Sequence, residues 1–222
     1  MEDTKDEKKE PKTVNFHQME LDDRILKVKR ENFIKFFNQE RFLVQTFQAI
    51  AKLGWIAPTL IQEKAIPLIL EAKDVLMRAR TGSGNTASFS IPIIQKILNS
   101  KESAKEQKTT ALILAPSKEL CLQIRKVIDE LTIKCSKIIK CVDLTAKADP
   151  TAQKHLLTQK PDIIVSTPAR ILSHLNQKNI IVKESLETLV IDEADLMFSF
   201  GFENDLKGVL EHLPPTYQVK LI

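Results

Sequence analysis

The sequence predicts an α/β fold: an open, mostly parallel sheet covered by helices on both faces. Two observations carry this. Short apolar runs alternate with longer segments of helical period, and several of the runs are apolar on both faces, as strands buried between helical layers must be. The expected strands are Val75–Ala79, Thr110–Ala115, Ile138–Leu144, Asp162–Thr167, Leu189–Asp192 and Val219–Ile222. The expected helices are Thr59–Leu70, Thr86–Leu98, Lys118–Thr132, Ala169–Asn176 and Asn204–Leu213. Open parallel sheets bind ligands where strand carboxyl ends meet loops. Chemistry is therefore sought after Ala79, Ala115, Thr167 and Ile191.

Composition narrows the classes. A chain of 222 residues, 43% hydrophobic and 28% charged, can bury a sizeable core. Only 5 glycines and 10 prolines argue against collagen-like or low-complexity chains. No apolar run approaches the roughly 20 residues of a membrane-spanning helix, so no membrane contact is expected. Met1–Thr13 is dense in mixed charge, reads as a disordered tail and has no apolar stretch of a secretory signal. Ser100–Thr110 reads as an exposed loop. Three cysteines without metal-ligand spacing fit a reducing compartment. The net charge of +4 permits an acidic partner such as nucleic acid.

Ala79-Arg80-Thr81-Gly82-Ser83-Gly84-Asn85-Thr86 follows an expected strand and opens an expected helix. That is the context of a phosphate-binding loop. Glycines let successive amides turn inward, the helix N-terminus adds its positive end, and Thr86 stands where a hydroxyl can ligate Mg²⁺. Two positions depart from the pattern: Ala79 replaces its first Gly, and Asn85 stands where Lys belongs. A plain helix-entry turn is the alternative. Further on, Asp192 and Glu193 end an apolar strand, where carboxylates are costly unless they serve a cation or a water. Asp192 is placed to hold hydrated Mg²⁺ and Glu193 to orient or deprotonate water. The alternative makes Asp192 a helix N-cap and Glu193 a partner of the helix dipole. Paired with a phosphate loop, the nucleotide reading dominates.

With both sites in view, the chain resembles the N-terminal RecA-like, P-loop domain of a DEAD-box RNA helicase; Asp192–Asp195 spell the family's name. Gly54-Trp55, Pro58-Thr59 and Ile61-Gln62 match the family's Q motif. The resemblance implies ATP and Mg²⁺ as cofactors, Gln62 reading the adenine edge, and Phe16 stacking on the base. Ala115-Pro116-Ser117-Lys118-Glu119-Leu120 resembles the PTREL motif, with Ser for Thr and Lys for Arg. Thr167-Pro168-Ala169-Arg170 resembles TPGR, with Ala for Gly. The resemblance makes Pro116, Ser117, Lys118, Thr167, Pro168 and Arg170 contacts to single-stranded RNA. Hydroxyls, helix N-termini and cations suit such sequence-independent phosphate contacts. The family's double-glycine RNA contact is not evident in Val142–Asp149. The softened motifs and acidic linkers resemble the nucleolar branch that assembles the large ribosomal subunit. This implies structured ribosomal RNA and pre-ribosomal proteins as partners, and residence in the nucleus and nucleolus.

Three departures qualify the resemblance. Asn85 cannot supply the cation that meets the terminal phosphates, so ATP hydrolysis is expected to be impaired. The block Val28–Gln48 holds five of the chain's ten Phe and interrupts an otherwise continuous amphipathic helix from Leu26-Lys27 to Ala49–Trp55. Phe33, Phe36, Phe37, Val44 and Phe47 share roughly one helical face. A partner-binding helix, an exposed apolar liability and a translated intron are the three readings. Finally, Ile222 precedes the family's Ser-Ala-Thr motif and second RecA-like domain, so this single lobe is not expected to unwind duplexes. The expected organisation is thus a tail over 1–13, a Q-motif region over 14–62 carrying the block, and a helicase ATP-binding domain over 63–222. A non-catalytic RNA- or protein-binding module is the competing function. A nucleotide kinase or small GTPase is disfavoured by Gln62 and Asp192–Asp195 and by the absence of a guanine-reading string. His17, His155, His174 and His212 stand near no second metal ligand.

Overall fold

The computed structural model of the chain describes residues 17–20, 44–55, 57–80, 82–103, 106–145 and 150–222. Strands β1 (His17–Glu20), β2 (Val75–Arg78), β3 (Ala111–Leu114), β4 (Cys141–Asp143), β5 (Ile163–Ser166), β6 (Thr188–Ile191) and β7 (Gln218–Leu221) form one sheet in the order β1-β2-β7-β6-β3-β5-β4. Every neighbouring pair is parallel. The helices are α1 (Val44–Lys52), α2 (Leu60–Leu70), α3 (Asn85–Ser103), α4 (Lys118–Leu131), α5 (Pro150–Thr158), α6 (Pro168–Asn176), α7 (Ala194–Ser199) and α8 (Glu203–Glu211).

The alternation of strand side chains creates the two layers. Ala111 and Ile113 of β3, Ile163 and Val165 of β5 and Val190 of β6 face one apolar cluster, built with α1, α2, α3 and α4. Leu112, Leu114, Ile164, Leu189 and Ile191 face a second cluster, built with α5, α6, α7 and α8. The sheet is therefore buried on both sides, which is why its strands read as continuous apolar runs. Helix α4 shows the usual amphipathic logic: Cys121, Ile124, Ile128 and Leu131 line its inner face. Its entry is fixed by the Ser117 hydroxyl, which accepts the Leu120 amide at 3.2 Å. Helix α3 is different, with an unbroken buried stretch from Ala87 to Gln95. Its polar groups are mostly satisfied locally: Ser88 Oγ donates to the Asn85 carbonyl and Gln95 Nε2 to Asn99 Oδ1. Thr46 Oγ1, donating to Gln95 Oε1 at 3.3 Å, ties α1 to this helix.

All six expected strands and all five expected helices are present, with ends shifted by a few residues. Helix α3 runs on to Ser103, into the expected loop, and Thr109 and Thr110 are buried rather than exposed. Thr109 Oγ1 donates to the Pro161 carbonyl at 2.6 Å, so the polar stretch enters the sheet already anchored. Strand β1 and helix α5 were not anticipated, and α7 only as the helix implied by the N-cap alternative for Asp192. The first carries one apolar residue, Met19; α5 buries little beyond Gln153 and Leu157; α7 is too short to show a period. The charged tail, Phe16, Leu26-Lys27 and residues 28–43 of the Phe-rich block lie outside the described residues, while 44–48 open α1.

Among the buried polar residues one is a lysine. Lys220, in β7, is wholly buried, and its Nζ donates to Gln218 Oε1 at 3.2 Å. Lys96 Nζ reaches the same oxygen at 2.8 Å. Gln218 is held by donating to the Ile69 and Lys73 carbonyls. Burial above all, then the neighbouring Lys96 charge, pushes the Lys220 pKa well below the usual lysine range, against the pull of Asp74.

Candidate nucleotide site

Arg78 ends β2 and Ile191 ends β6, with β7 between them; Leu76 and Ile191 both pair with Leu221, so the two parallel strands end on the same side of the sheet, β2 running two residues further. The glycine loop after β2 and the carboxylates after β6 therefore open into the same space. A cavity of about 470 Å³ lies there, lined by Thr59, Gln62, Gly82, Gly84, Asn85, Thr86, Asp192 and Glu193.

The loop has the backbone that a phosphate cradle needs. Gly82 and Gly84 have φ of 81° and 94°, a region that disfavours residues with a side chain. At Gly84 a Cβ would also lie 2.5 Å from Gln62 Nε2 and 3.1 Å from Thr59 Oγ1. That crowding reflects a direct link: Gln62 Nε2 donates to the Gly84 carbonyl at 3.3 Å, while Gln62 Oε1 accepts the Thr59 amide at 3.0 Å. Gln62 thus caps α2 and holds the glycine loop with one side chain. Thr59 Oγ1 is buried without a hydrogen-bond partner among the described residues. Asn85 opens α3, and its Oδ1 accepts the Ser83 hydroxyl at 3.0 Å, so its amide is turned to its own loop. The Arg80 carbonyl accepts the Ser83 amide. Ala79 packs half-buried against the core and Arg80 is exposed. Thr81 and Phe16 lie outside the described residues.

Across the cavity, Asp192 is 6% exposed. Burial, with the adjacent Glu193 charge second, raises its pKa to about 6. The N-cap alternative does not hold for Asp192: the cap of α7 is Glu193, in the left-handed region at φ 52° and ψ 52°. A non-glycine residue there costs on the order of 1–2 kcal/mol. The turn is fixed on both sides: the Asp192 amide donates to the Leu114 carbonyl and the Ala194 amide to that of Ile222. The strain holds Glu193 at the cavity wall directly beside Asp192.

The raised pKa has a thermodynamic consequence. The folded state keeps a proton on Asp192 up to about pH 6, whereas the unfolded chain releases it near 4. Stability falls as pH rises through this window, and the penalty, roughly 3 kcal/mol, is complete above it. Asp192→Asn is expected to raise the melting temperature of the ligand-free protein at pH 7.5 and to leave it nearly unchanged at about pH 3, below both pKa values. Equal melting temperatures at pH 7.5 would contradict this.

Pro116, Ser117 and Lys118 follow β3, and Thr167, Pro168 and Arg170 follow β5, its hydrogen-bonded neighbour. Leu114 pairs with Ser166, so the two loops emerge side by side. Ser117 and Thr167 are the N-caps of α4 and α6. The expected RNA contacts thus form one surface next to the cavity. Missed by sequence reasoning as cavity residues are Leu120, Ile124 and Val127 of α4, which form the cavity's apolar wall with Trp55 and Ala57, and Gln123, which lines it beside them. The signal was present in α4: half-buried Leu120 and Val127 extend its apolar face beyond the core stripe. Among the described residues no group of three or more His, Cys, Asp or Glu could hold a metal ion.

Comparison with known proteins agrees with this geometry. Residues 59–222 match the model of the DEAD/DEAH box helicase family. A probable ATP-dependent RNA helicase ddx56 of Dictyostelium discoideum is 42% identical over 175 residues, 79% of this chain and 26% of that protein. An ATP-dependent RNA helicase dbp9 of Aspergillus oryzae is 39% identical over 219 residues, 98% of this chain and 33% of that protein. The chain spans about a quarter to a third of the length of these curated relatives. A crystal structure of a DEAD box protein from Methanococcus jannaschii superposes with a TM-score of 0.74 at 32% identity, covering 83% of this chain and 48% of that one. With the family model covering most of its length, a parallel sheet of the same kind and the glycine loop facing the acidic turn, the chain belongs to the DEAD/DEAH box helicase family.

Proposed function

We propose that this chain is the lobe of an RNA helicase that binds ATP and grips single-stranded RNA, and that it acts on ribosomal RNA during large-subunit assembly in the nucleolus. The observation that carries the nucleotide reading is the single cavity uniting Gln62, Gly82, Gly84, Asn85, Thr86, Asp192 and Glu193. Gly82 and Gly84, both at positive φ on the cavity wall, bind phosphate with the start of α3. Gln62 offers its amide to the base. The Thr86 hydroxyl and the Asp192 carboxylate are hard oxygen donors on the cavity wall, a set that fits Mg²⁺, which when bound neutralises phosphate charge. Glu193 holds the attacking water and takes its proton. Asn85 leaves this machinery one cation short, so hydrolysis is slow. The RNA reading rests on the adjoining loops after β3 and β5. Ribosomal RNA, pre-ribosomal proteins and the nucleolus are supported by the softened motifs and by the likeness to dbp9 and ddx56 proteins.

The test measures a fluorescent ATP analogue and a single-stranded oligoribonucleotide on one sample, each with and without the other. Binding of both, with RNA affinity weakened by raised salt, is the expected result. RNA binding without nucleotide binding would favour a non-catalytic module, the reading that Asn85 supports. Nucleotide binding without RNA binding would remove the helicase-lobe reading.

A further inference from the structure

A chain of amide and imidazole hydrogen bonds joins the end of β4 to helix α6, and the nucleotide site does not use it. Gln153, on the first turns of α5, is 1% exposed; its Nε2 donates to the Leu144 carbonyl at 2.8 Å. That bond fixes the amide's orientation and leaves Oε1 to face His174 Nε2 at 3.0 Å. An amide oxygen only accepts, so Nε2 carries the hydrogen. His174 Nδ1, 3.1 Å from Asn179 Nδ2, is then the acceptor. Asn179 Nδ2 also donates to Gln177 Oε1 at 3.3 Å, and Gln177 Nε2 to Ser173 Oγ at 3.0 Å. Both ring nitrogens of an imidazole that is 4% exposed are thus satisfied by neutral partners. Burial, and after it the Arg170 charge, opposes protonation of the ring.

The placement of the two ends gives this chain a function. Leu144 takes the next place after β4, where its amide donates to the Val165 carbonyl of β5. Thr167, Pro168 and Arg170 open α6, which carries His174 on its next turns. Gln153 ties α5 to the residue that follows β4, and His174 fastens Gln153 to α6. We propose that His174, acting through Gln153, is a positioning residue for RNA: it locks the carboxyl end of β4 against the helix whose N-terminus meets the sugar–phosphate backbone. The proposal rests on the RNA reading above. Pre-organisation of this kind is felt at a site that the supporting residues never touch.

The experiment compares His174→Phe, which keeps a ring but removes both nitrogens, with His174→Gln, which returns an Nε–H donor towards Gln153. Single-stranded RNA affinity should fall roughly tenfold in His174→Phe and recover most of that loss in His174→Gln. Affinity for the ATP analogue should stay unchanged in both. Gln153→Met should weaken RNA binding as His174→Phe does, and the double variant should be no weaker than either single one. Amide hydrogen exchange should quicken at Leu144–Thr145 and Thr167–Ile171 in His174→Phe but not at Gly82–Thr86. Equal RNA affinity in wild type and His174→Phe, additive losses, or parallel loss of nucleotide binding would each overturn the proposal. If the wild type binds no RNA, the functional reading fails, and with it the proposed role for RNA; exchange then decides separately whether the lock exists, unchanged rates showing that it does not.

Discussion

Asn85→Lys is expected to tighten ATP binding about ten- to hundredfold, corresponding to about 1.5–3 kcal/mol for one charge-assisted contact in a partly enclosed site. The reasoning starts from what Asn85 does at present. Its Oδ1 accepts the Ser83 hydroxyl, so the side chain stabilises the empty loop and presents no cation to phosphate. A lysine gives up that bond, but its ammonium can reach into a cavity whose opposite wall bears Asp192 and Glu193. In the ligand-free state it pairs with those carboxylates, and in the bound state with phosphate. The gain should therefore be larger for ATP than for ADP and absent for adenosine, which calorimetry with the three ligands checks. Equal gains for all three would mean that the substitution acts through loop order and not through charge.

Asp162→Ala is expected to cost about 3–5 kcal/mol, the usual result of removing one partner from a buried ion pair. Asp162 is 2% exposed. Lys101 Nζ lies 2.8 Å from its Oδ1, and its Oδ2 accepts the Lys140 amide at 2.8 Å. Lys101 also donates to Gln107 Oε1 and the Ile138 carbonyl, so this one cluster ties the end of α3 to the segments entering β4 and β5. Losing the carboxylate takes the charged partner from a part-buried ammonium and leaves the Lys140 amide unpaired. Since each kcal/mol shifts the melting temperature of a domain this size by roughly 2–4 °C, a fall of about 10 °C is expected in a thermal melt. The double variant Lys101→Met/Asp162→Leu should lose less than Asp162→Ala, because no orphaned charge remains. A double variant that melts lower still would show that the pair itself, and not the stranding of its survivor, supplies the stability.

Much of this molecule was legible because its function sits where strands end. Both-sided burial made β3, β5 and β6 visible as apolar runs, and parallel strands place their following loops at one edge. The glycine loop and the Asp192–Glu193 turn are therefore matched by strand order and apolar pattern alone. What escaped was set by tertiary context. Strand β1 reads His-Gln-Met-Glu and exists by pairing with β2. Helix α5 has its strongest interior contact through an amide, Gln153, which no hydrophobic period registers. The cap of α7 fell on Glu193 and not Asp192, because hydrogen bonds to Leu114 and Ile222 dictate a left-handed turn that sequence statistics disfavour. His174 had looked like an isolated histidine; its partners come from α5 and from the turn after α6.

Lys220 adds a consequence of another kind. An amine buried in the sheet, where burial disfavours its protonated form, has no route to an electrophile. Surface lysines acylate at rates set by their own protonation, whereas this one reacts only after β7 parts from its neighbours. Its labelling therefore clocks the opening of the domain's centre, and a ligand that clamps the cleft should slow that clock while the outer lysines keep their pace.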